Sequence, residues 1–238
     1  VSLYREQGVV LRTIRLGEAD RIVNLVTPGH GKVRAVVKGV RKTKSRFGSR
    51  LEPLSHVSLL LYEGRELDVV TQAETLDHFR TVREDLARMG SAMTMLEAVD
   101  QVSQEGEANP RLYQMLVGAL RALAARDAPL LVPAFCWKLL SLEGAHPLLD
   151  QCASCASTSD LVAFDLGEGG VLCRDCRRGV PVSPGALAVI RRILSGDLAR
   201  VLDEPAGPAA GEVGQLAVRS LEQHLERRLR SHHLFDRA

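Results

Sequence analysis

The sequence predicts an α+β chain of several domains: an N-terminal five-stranded β-barrel, an α-helical domain, and a four-cysteine metal module inserted between helices. Three observations carry this reading. Apolar residues alternate with a period of two up to about residue 78 and recur with helical spacing beyond it. Turn-forming segments, Thr27-Pro28-Gly29-His30-Gly31 and Glu63-Gly64-Arg65, separate the alternating runs. Four of the five cysteines form two Cys-x2-Cys pairs. The expected boundaries are 1–78 for the barrel, 79–150 with 180–238 for the helices, and 151–179 for the metal module.

In chain order, the expected strands are Val9–Ile14, Ala19–Val26, Val33–Val37, Val57–Tyr62 and Leu67–Thr71. Five short strands, mostly joined as hairpins, suit a small closed barrel. The OB-fold is the commonest nucleic-acid-associated barrel of that count, and an SH3-like barrel fits nearly as well.

The helices follow. Ala92, Met95, Leu96 and Val99 make one apolar face. Asn109 is placed to cap a helix opened by Pro110, with Leu112, Met115, Leu116, Ala119, Leu120 and Leu123 on one stripe. Phe135, Leu139 and Leu142, joined by Trp137 and Leu140 on a second side, predict a helix buried within a bundle. Ser183-Pro184 opens another helix, and Asp203 to Gly211 reads as a linker before a last amphipathic helix, roughly Glu212 to Arg230.

Charge is distributed unevenly along the chain. Residues 1–80 hold 14 Lys and Arg against 9 Asp and Glu, a net of +5, in a protein whose total is +2. Lys32, Arg34, Lys38, Arg41, Lys42, Lys44, Arg46 and Arg50 lie in one stretch without a carboxylate. Such a run repels itself unless a polyanion neutralises it, so these eight residues are the candidate DNA-binding set. The pattern places Lys32, Arg34 and Lys38 on the open face of the third strand and the rest on the loop beyond it.

Cys152-x2-Cys155-x17-Cys173-x2-Cys176 has the spacing of a zinc ribbon, each pair giving two thiolates to one ion. Four thiolates close the coordination sphere, so one structural zinc per chain is expected rather than a catalytic one. The segments Leu161-Val162-Ala163-Phe164 and Gly169-Gly170-Val171-Leu172 should form the hairpin between the pairs. A zinc deaminase would need a His-x-Glu upstream and a proline before a cysteine pair, and has neither here. Cys136 reads as a small buried hydrophobe, and His224, His232 and His233 as a solvated helix end.

Other chemistry is missing. Gly29-His30-Gly31-Lys32 runs into valine and lacks the spacing of a phosphate-binding loop. There is no Gly-x-Ser-x-Gly elbow and no GxGxxG. With no catalytic residues to name, the chain reads as a binder and not an enzyme. No apolar run reaches eighteen residues and the start, VSLYREQG, carries no secretory pattern, so a cytoplasmic protein without a membrane partner is expected.

Taken together these residues resemble the RecO DNA-repair family over essentially the whole chain. The resemblance is densest at Gly17-Glu18-Ala19-Asp20, Thr27, Gly31-Lys32, Lys38-Gly39, Ser45-Arg46, Leu51-Glu52-Pro53 and Ala73-Glu74. It implies an N-terminal OB-fold, a helical domain and, in many members, an inserted four-cysteine zinc module. It also implies a bacterial, nucleoid-associated recombination mediator. Such a protein binds single- and double-stranded DNA, anneals complementary strands, and with RecR loads RecA onto strands coated by single-strand binding protein. The same features allow one alternative, a zinc-ribbon transcription or RNA-binding factor that reads a particular sequence. Rings are few in the barrel region (Tyr4, Phe47, Tyr62 and Phe79), so charge should outweigh base stacking.

Overall fold

Strand β1, Leu3–Leu16, is long enough to pair with two neighbours, and this closes the first part of the chain on itself. The computed structural model describes residues 2–42 and 45–231. The N-terminal half of β1 runs antiparallel to β4 (His56–Tyr62) and its C-terminal half antiparallel to β2 (Asp20–Thr27), with a bulge between Val10 and Arg12 where the strand turns from one partner to the other. Strand β3, Gly31–Val37, pairs with β2 and then, in parallel, with β5 (Asp68–Asp77) at Ala35 and Val36. Strand β5 returns to β4, giving a closed barrel of order β1-β2-β3-β5-β4. This is an OB-like barrel.

Strands β1 and β5 extend beyond the expected segments because their outer halves are polar on one side and only half-buried on the other. They are held by ladder hydrogen bonds, which leave no apolar alternation to read. Val10, Val23, Leu25, Val33, Ala35, Val37, Val57, Leu59, Leu61 and Val70 fill the interior.

By packing, the chain divides into two units, one reaching to Ala125 and including Ser231, the other Arg126–Arg230. In the first unit, the short helix α1 (Arg80–Arg83), α2 (Leu86–Val102) and α3 (Pro110–Ala125) join the barrel. Arg83 ties this junction by donating to the carbonyls of His78 and Pro53, at 2.9 and 2.7 Å. Asp85 caps α2 and Asn109 caps α3, each side chain accepting a backbone N–H at 3.0 Å. The segment after α2 forms a bridge onto the start of β3, where Lys32 N–H donates to Gln104 C=O at 2.9 Å. Gly31 is required there: its φ is +62°, and a Cβ would sit 2.0 Å from the Glu107 carbonyl oxygen.

The second unit holds α4 (Leu131–Leu142), α5 (Pro184–Leu194), α6 (Leu198–Asp203) and α7 (Ala210–His224) around the cysteine module. Helix α4 is buried as its two-sided apolar pattern predicts, with Phe135, Trp137, Leu139 and Leu140 inside. Ser183 caps α5, accepting from Ala186 N–H at 3.1 Å, and Glu212 from the start of α7 accepts from Ser183 Oγ at 2.6 Å. Helix α6 is too short to show a periodic stripe and was not expected from the pattern. Helix α7 stops earlier than the amphipathic pattern predicts, since Glu226 turns into the left-handed region at φ 50°. The module is a three-stranded sheet of β6 (Leu161–Asp165), β7 (Gly170–Cys173) and the two-residue β8 (Val180–Pro181), in order β7-β6-β8.

Candidate nucleic-acid interface and metal centre

The cationic stretch is not a loose tail. Its described residues, 39–42 and 45–55, fold as a cap on the barrel because three apolar residues among them, Phe47, Leu51 and Leu54, are almost wholly buried. Phe47 and Leu51 belong to the barrel core itself. Backbone bonds fasten both ends: Arg41 N–H donates to Ala19 C=O at 3.0 Å, and Leu54 N–H to Val10 C=O at 2.9 Å. Asp20 Oδ1 accepts from Gly39 N–H at 2.7 Å, and Arg21 pairs with Glu52 at 2.5 Å.

The eight candidate cations separate into groups. Lys38, Lys42, Arg46 and Arg50 are exposed, and among the described residues none of them has a carboxylate partner. Arg46 lies over the Phe47 ring at 4.8 Å, and Arg50 donates to the Arg46 carbonyl at 2.6 Å, which orders both side chains on the cap. Arg41 is exposed but donates to the carbonyls of Gly17 and Glu18, at 3.4 and 2.9 Å, and so holds the β1–β2 turn. Lys44 lies outside the described residues. Lys32 and Arg34 are only half-exposed, because the segment after α2 covers the face expected to be open. Lys32 Nζ stands 3.3 Å from Asp100 Oδ1, while Arg12 meets the other oxygen of that carboxylate at 2.6 Å. Arg34 pairs with Glu105 at 3.4 Å.

One cation lay outside the run. Arg15, exposed near the end of β1, stands opposite Arg21 across the β1–β2 ladder, and Arg21 pairs with Glu52 of the cap. Its isolation among apolar residues hid it; only strand register brings it there. Of the four rings, Phe47 and Phe79 are buried and Tyr4 is half-buried, its hydroxyl donating to Asp68 and its pKa raised by burial and that carboxylate. Tyr62 is 44% exposed, which leaves it as the barrel-region ring most open to a base.

The four cysteines come together. All their sulfurs lie within 4.8 Å of one another, with Cys155 and Cys173 at 3.7 Å. Thiolates about 2.3 Å from a tetrahedral ion are separated by about 3.8 Å along each edge, so the cluster fits one such ion. The first knuckle is a tight turn in which Ala156 N–H donates to Cys152 C=O at 2.9 Å and Cys152 N–H to Ser157 C=O at 2.7 Å. The Cys173 backbone N–H lowers the Cys152 thiol to about 6. Against the Ser157 backbone N–H, hydrogen bonds from the neighbouring thiols push Cys155 up to about 12, and Cys176 is raised as well. Without an ion the four sulfurs therefore share protons instead of ionising together. Gly179 releases the chain from the second knuckle at φ +78°, passing so close to Phe164 that a Cβ would lie 2.4 Å from its carbonyl oxygen. Phe164 in turn meets Trp137 edge-on at 5.9 Å, packing the module onto α4. Cys136 is fully buried, and burial pushes its thiol up to about 12, as suits an inert core residue. His224 is exposed on α7, and His232 and His233 lie outside the described residues.

Residues 1–79 match the family profile described as Recombination protein O N terminal, and residues 83–233 that described as Recombination protein O C terminal. The chain belongs to the RecO family. A DNA repair protein RecO from Frankia casuarinae is 43% identical over 244 residues, covering 100% of both chains. The profiles meet where strands give way to helices, near Phe79. RecO membership makes this a DNA-repair protein and gives the cationic cap and the thiolate cluster a common context. No helix among the described residues is long and apolar enough to cross a membrane.

Proposed function

We propose that the protein is a recombination mediator that binds single- and double-stranded DNA on the barrel cap. It anneals complementary strands and, with RecR, helps load RecA onto strands coated by single-strand binding protein, acting in the bacterial cytoplasm at the nucleoid. The named protein partners rest on membership of the RecO family. The DNA surface rests on one observation: Lys38, Lys42, Arg46 and Arg50 are exposed without carboxylate partners on a cap anchored in the barrel core. Cations held on a rigid base and not neutralised within the protein are suited to replace the counterions of a phosphate backbone. Two strands brought to one such surface no longer repel fully within the ~8 Å screening length, which favours annealing without nucleotide hydrolysis. We propose no catalytic residue.

We propose that Cys152, Cys155, Cys173 and Cys176 hold one structural zinc per chain. An all-thiolate tetrahedral set is the donor chemistry zinc prefers, and when bound it crosslinks the two knuckles.

The test of the DNA surface is a variant in which Lys38, Lys42, Arg46 and Arg50 become alanine. Arg41 stays because its guanidinium supports a turn. For each phosphate that a removed cation would have neutralised, the slope of log affinity against log salt should flatten by about 0.9 on duplex and about 0.7 on single strands, equally for all sequences. An unchanged slope would move the interface off the cap.

A further inference from the structure

We propose that Glu105 is an internal competitor for DNA phosphate: its carboxylate occupies Arg34 and so lowers the affinity of the cationic surface for DNA. This rests on that surface being the DNA-binding one. Residues 103–109 (SQEGEAN) follow α2 and cross the start of β3, carrying two carboxylates and no cation. Their backbone is fixed there, since Gln104 C=O accepts from Lys32 N–H at 2.9 Å and Glu105 bridges Gly31 and Lys32. Along β3, Lys32, Arg34 and Val36 point outward between the buried Val33, Ala35 and Val37, and the exposed Lys38 continues the same phase. Arg34 and Lys38 are thus four residues apart on one side of the barrel wall, ~13 Å at ~3.3 Å per residue.

The two cations beside this segment are not held alike. The Lys32 side chain is 15% exposed, and its ammonium meets both the Asp100 carboxylate, at 3.3 Å, and the Asp100 carbonyl. It is a fixed part of the fold. Arg34 is 39% exposed and Glu105 52%, and a single contact of 3.4 Å joins them. An ion pair so open to water adds little to stability, so the partner of Arg34 is exchangeable. Across the ladder Arg34 faces the neutral Asn24, and among the described residues it pairs with no other carboxylate. A guanidinium grips carboxylate and phosphate with the same fork of N–H donors, so Glu105 and a DNA phosphate compete for one site. A phosphate arriving at Arg34 also meets the Glu105 charge well inside the ~8 Å screening length. Annealing ends in duplex, and a surface that binds less tightly releases its product sooner.

The full-length protein is titrated at several salt concentrations with a single strand of mixed sequence and with its duplex. Glu105→Gln keeps the size of the side chain and removes its charge. It should bind about four- to fivefold more tightly near 0.15 M salt, and the slope of log affinity against log salt should steepen by about 0.7 on the single strand and about 0.9 on duplex, one phosphate in each case. Adding Arg34→Ala to that variant should abolish the gain, whereas Arg34→Ala alone should leave the wild-type slope. Glu107→Gln makes the same change in net charge at a residue that pairs with no cation among the described residues, and should give a smaller gain. No gain in Glu105→Gln, a gain that survives Arg34→Ala, or one matched by Glu107→Gln would overturn the proposal. The variant lacking Lys38, Lys42, Arg46 and Arg50 is read in parallel. A flattened slope there, with no gain in Glu105→Gln, overturns this proposal alone. A gain abolished by Arg34→Ala, beside an unflattened slope in the four-cation variant, supports it and moves the remaining contacts off the cap.

Discussion

The cationic cap, made of turns alone among its described residues, and the cysteine module, built on a short three-stranded sheet, are held in place by different means. The cap sends Phe47, Leu51 and Leu54 inward, where they join a barrel core already filled by ten other buried residues or pack beside it. The module's own buried cluster is Cys152, Ala163, Leu172 and Cys173, two of them candidate ligands, and beyond it Phe164 and Val171 are buried, Phe164 against Trp137. Burial holds the first, while the second, with so small a cluster of its own, would draw on the proposed ion as well. Their charges differ as well. Residues 151–179 carry three arginines and four carboxylates, and four thiolates on a divalent ion add further negative charge. On the proposed reading the cap meets a phosphate backbone and the module does not.

The sharpest test of this contrast is Cys152→Ser or Cys173→Ser. Structural zinc binding is worth about 10–16 kcal/mol, comparable with the ~5–15 kcal/mol stability of a whole domain, so losing the ion should unfold the module. Elemental analysis should show one zinc per wild-type chain and none in the variant. Calorimetry should show a missing or broadened transition for the second unit. The salt slope of DNA binding should remain, and a slope that collapsed with the metal would place DNA contacts on the module.

Phe47→Ala is the matching perturbation of the cap. Removing a buried ring costs about 3–5 kcal/mol, and the cap loses its chief anchor. DNA affinity should fall although no charge has been removed, whereas an affinity unaltered in a protein with a lowered Tm would show that cap rigidity does not matter. Lys32→Ala separates charge from position. Lys32 is engaged by Asp100, so its removal should cost about 1–3 kcal/mol of stability while leaving the salt slope nearly constant, the reverse of the four-cation variant. A slope as shallow as that of the four-cation variant would make Lys32 a phosphate-binding residue after all.

The smallest effect concerns pH and is confined to the barrel's own unit. His56 is 4% exposed, its Nε2 lies 2.6 Å from Tyr113 Oη and its Nδ1 has no partner. Burial, helped by Arg121, lowers its pKa below the ordinary 6.5, with Asp77 opposing. Below about 6.5 the unfolded chain takes up the proton before the folded one does, so the stability contribution is full above that pH. It is lost as pH falls toward the folded value. Denaturant melts of the first unit between pH 5 and 8, with His56→Gln as comparison, should show that component vanish in the variant. Cys136 does not titrate in this range, and burial holds it there.

Much of this molecule is determined by signals that lie close together in the chain. The Cys-x2-Cys pairs, the two-sided apolar pattern of α4, and the caps at Asn109 and Ser183 each act within a few residues, so their geometry follows from spacing alone. The change from strand to helix near residue 79 is legible for the same reason. Other features depend on partners far away in sequence. Lys32 and Arg34 look like members of an unbroken cationic run, and only Asp100 and Glu105, some seventy residues on, take them out of it. Phe47 looks like an exposed ring in a polar loop until the barrel closes around it. Arg15 comes opposite Arg21 only through the β1–β2 register, and α1–α3 pack with the barrel although nothing in their periodicity assigns them there. A charge or an apolar face states what it needs but not which distant residue supplies it. That choice is made by chain closure, when the β3–β5 parallel pairing completes the barrel and fixes which faces remain open.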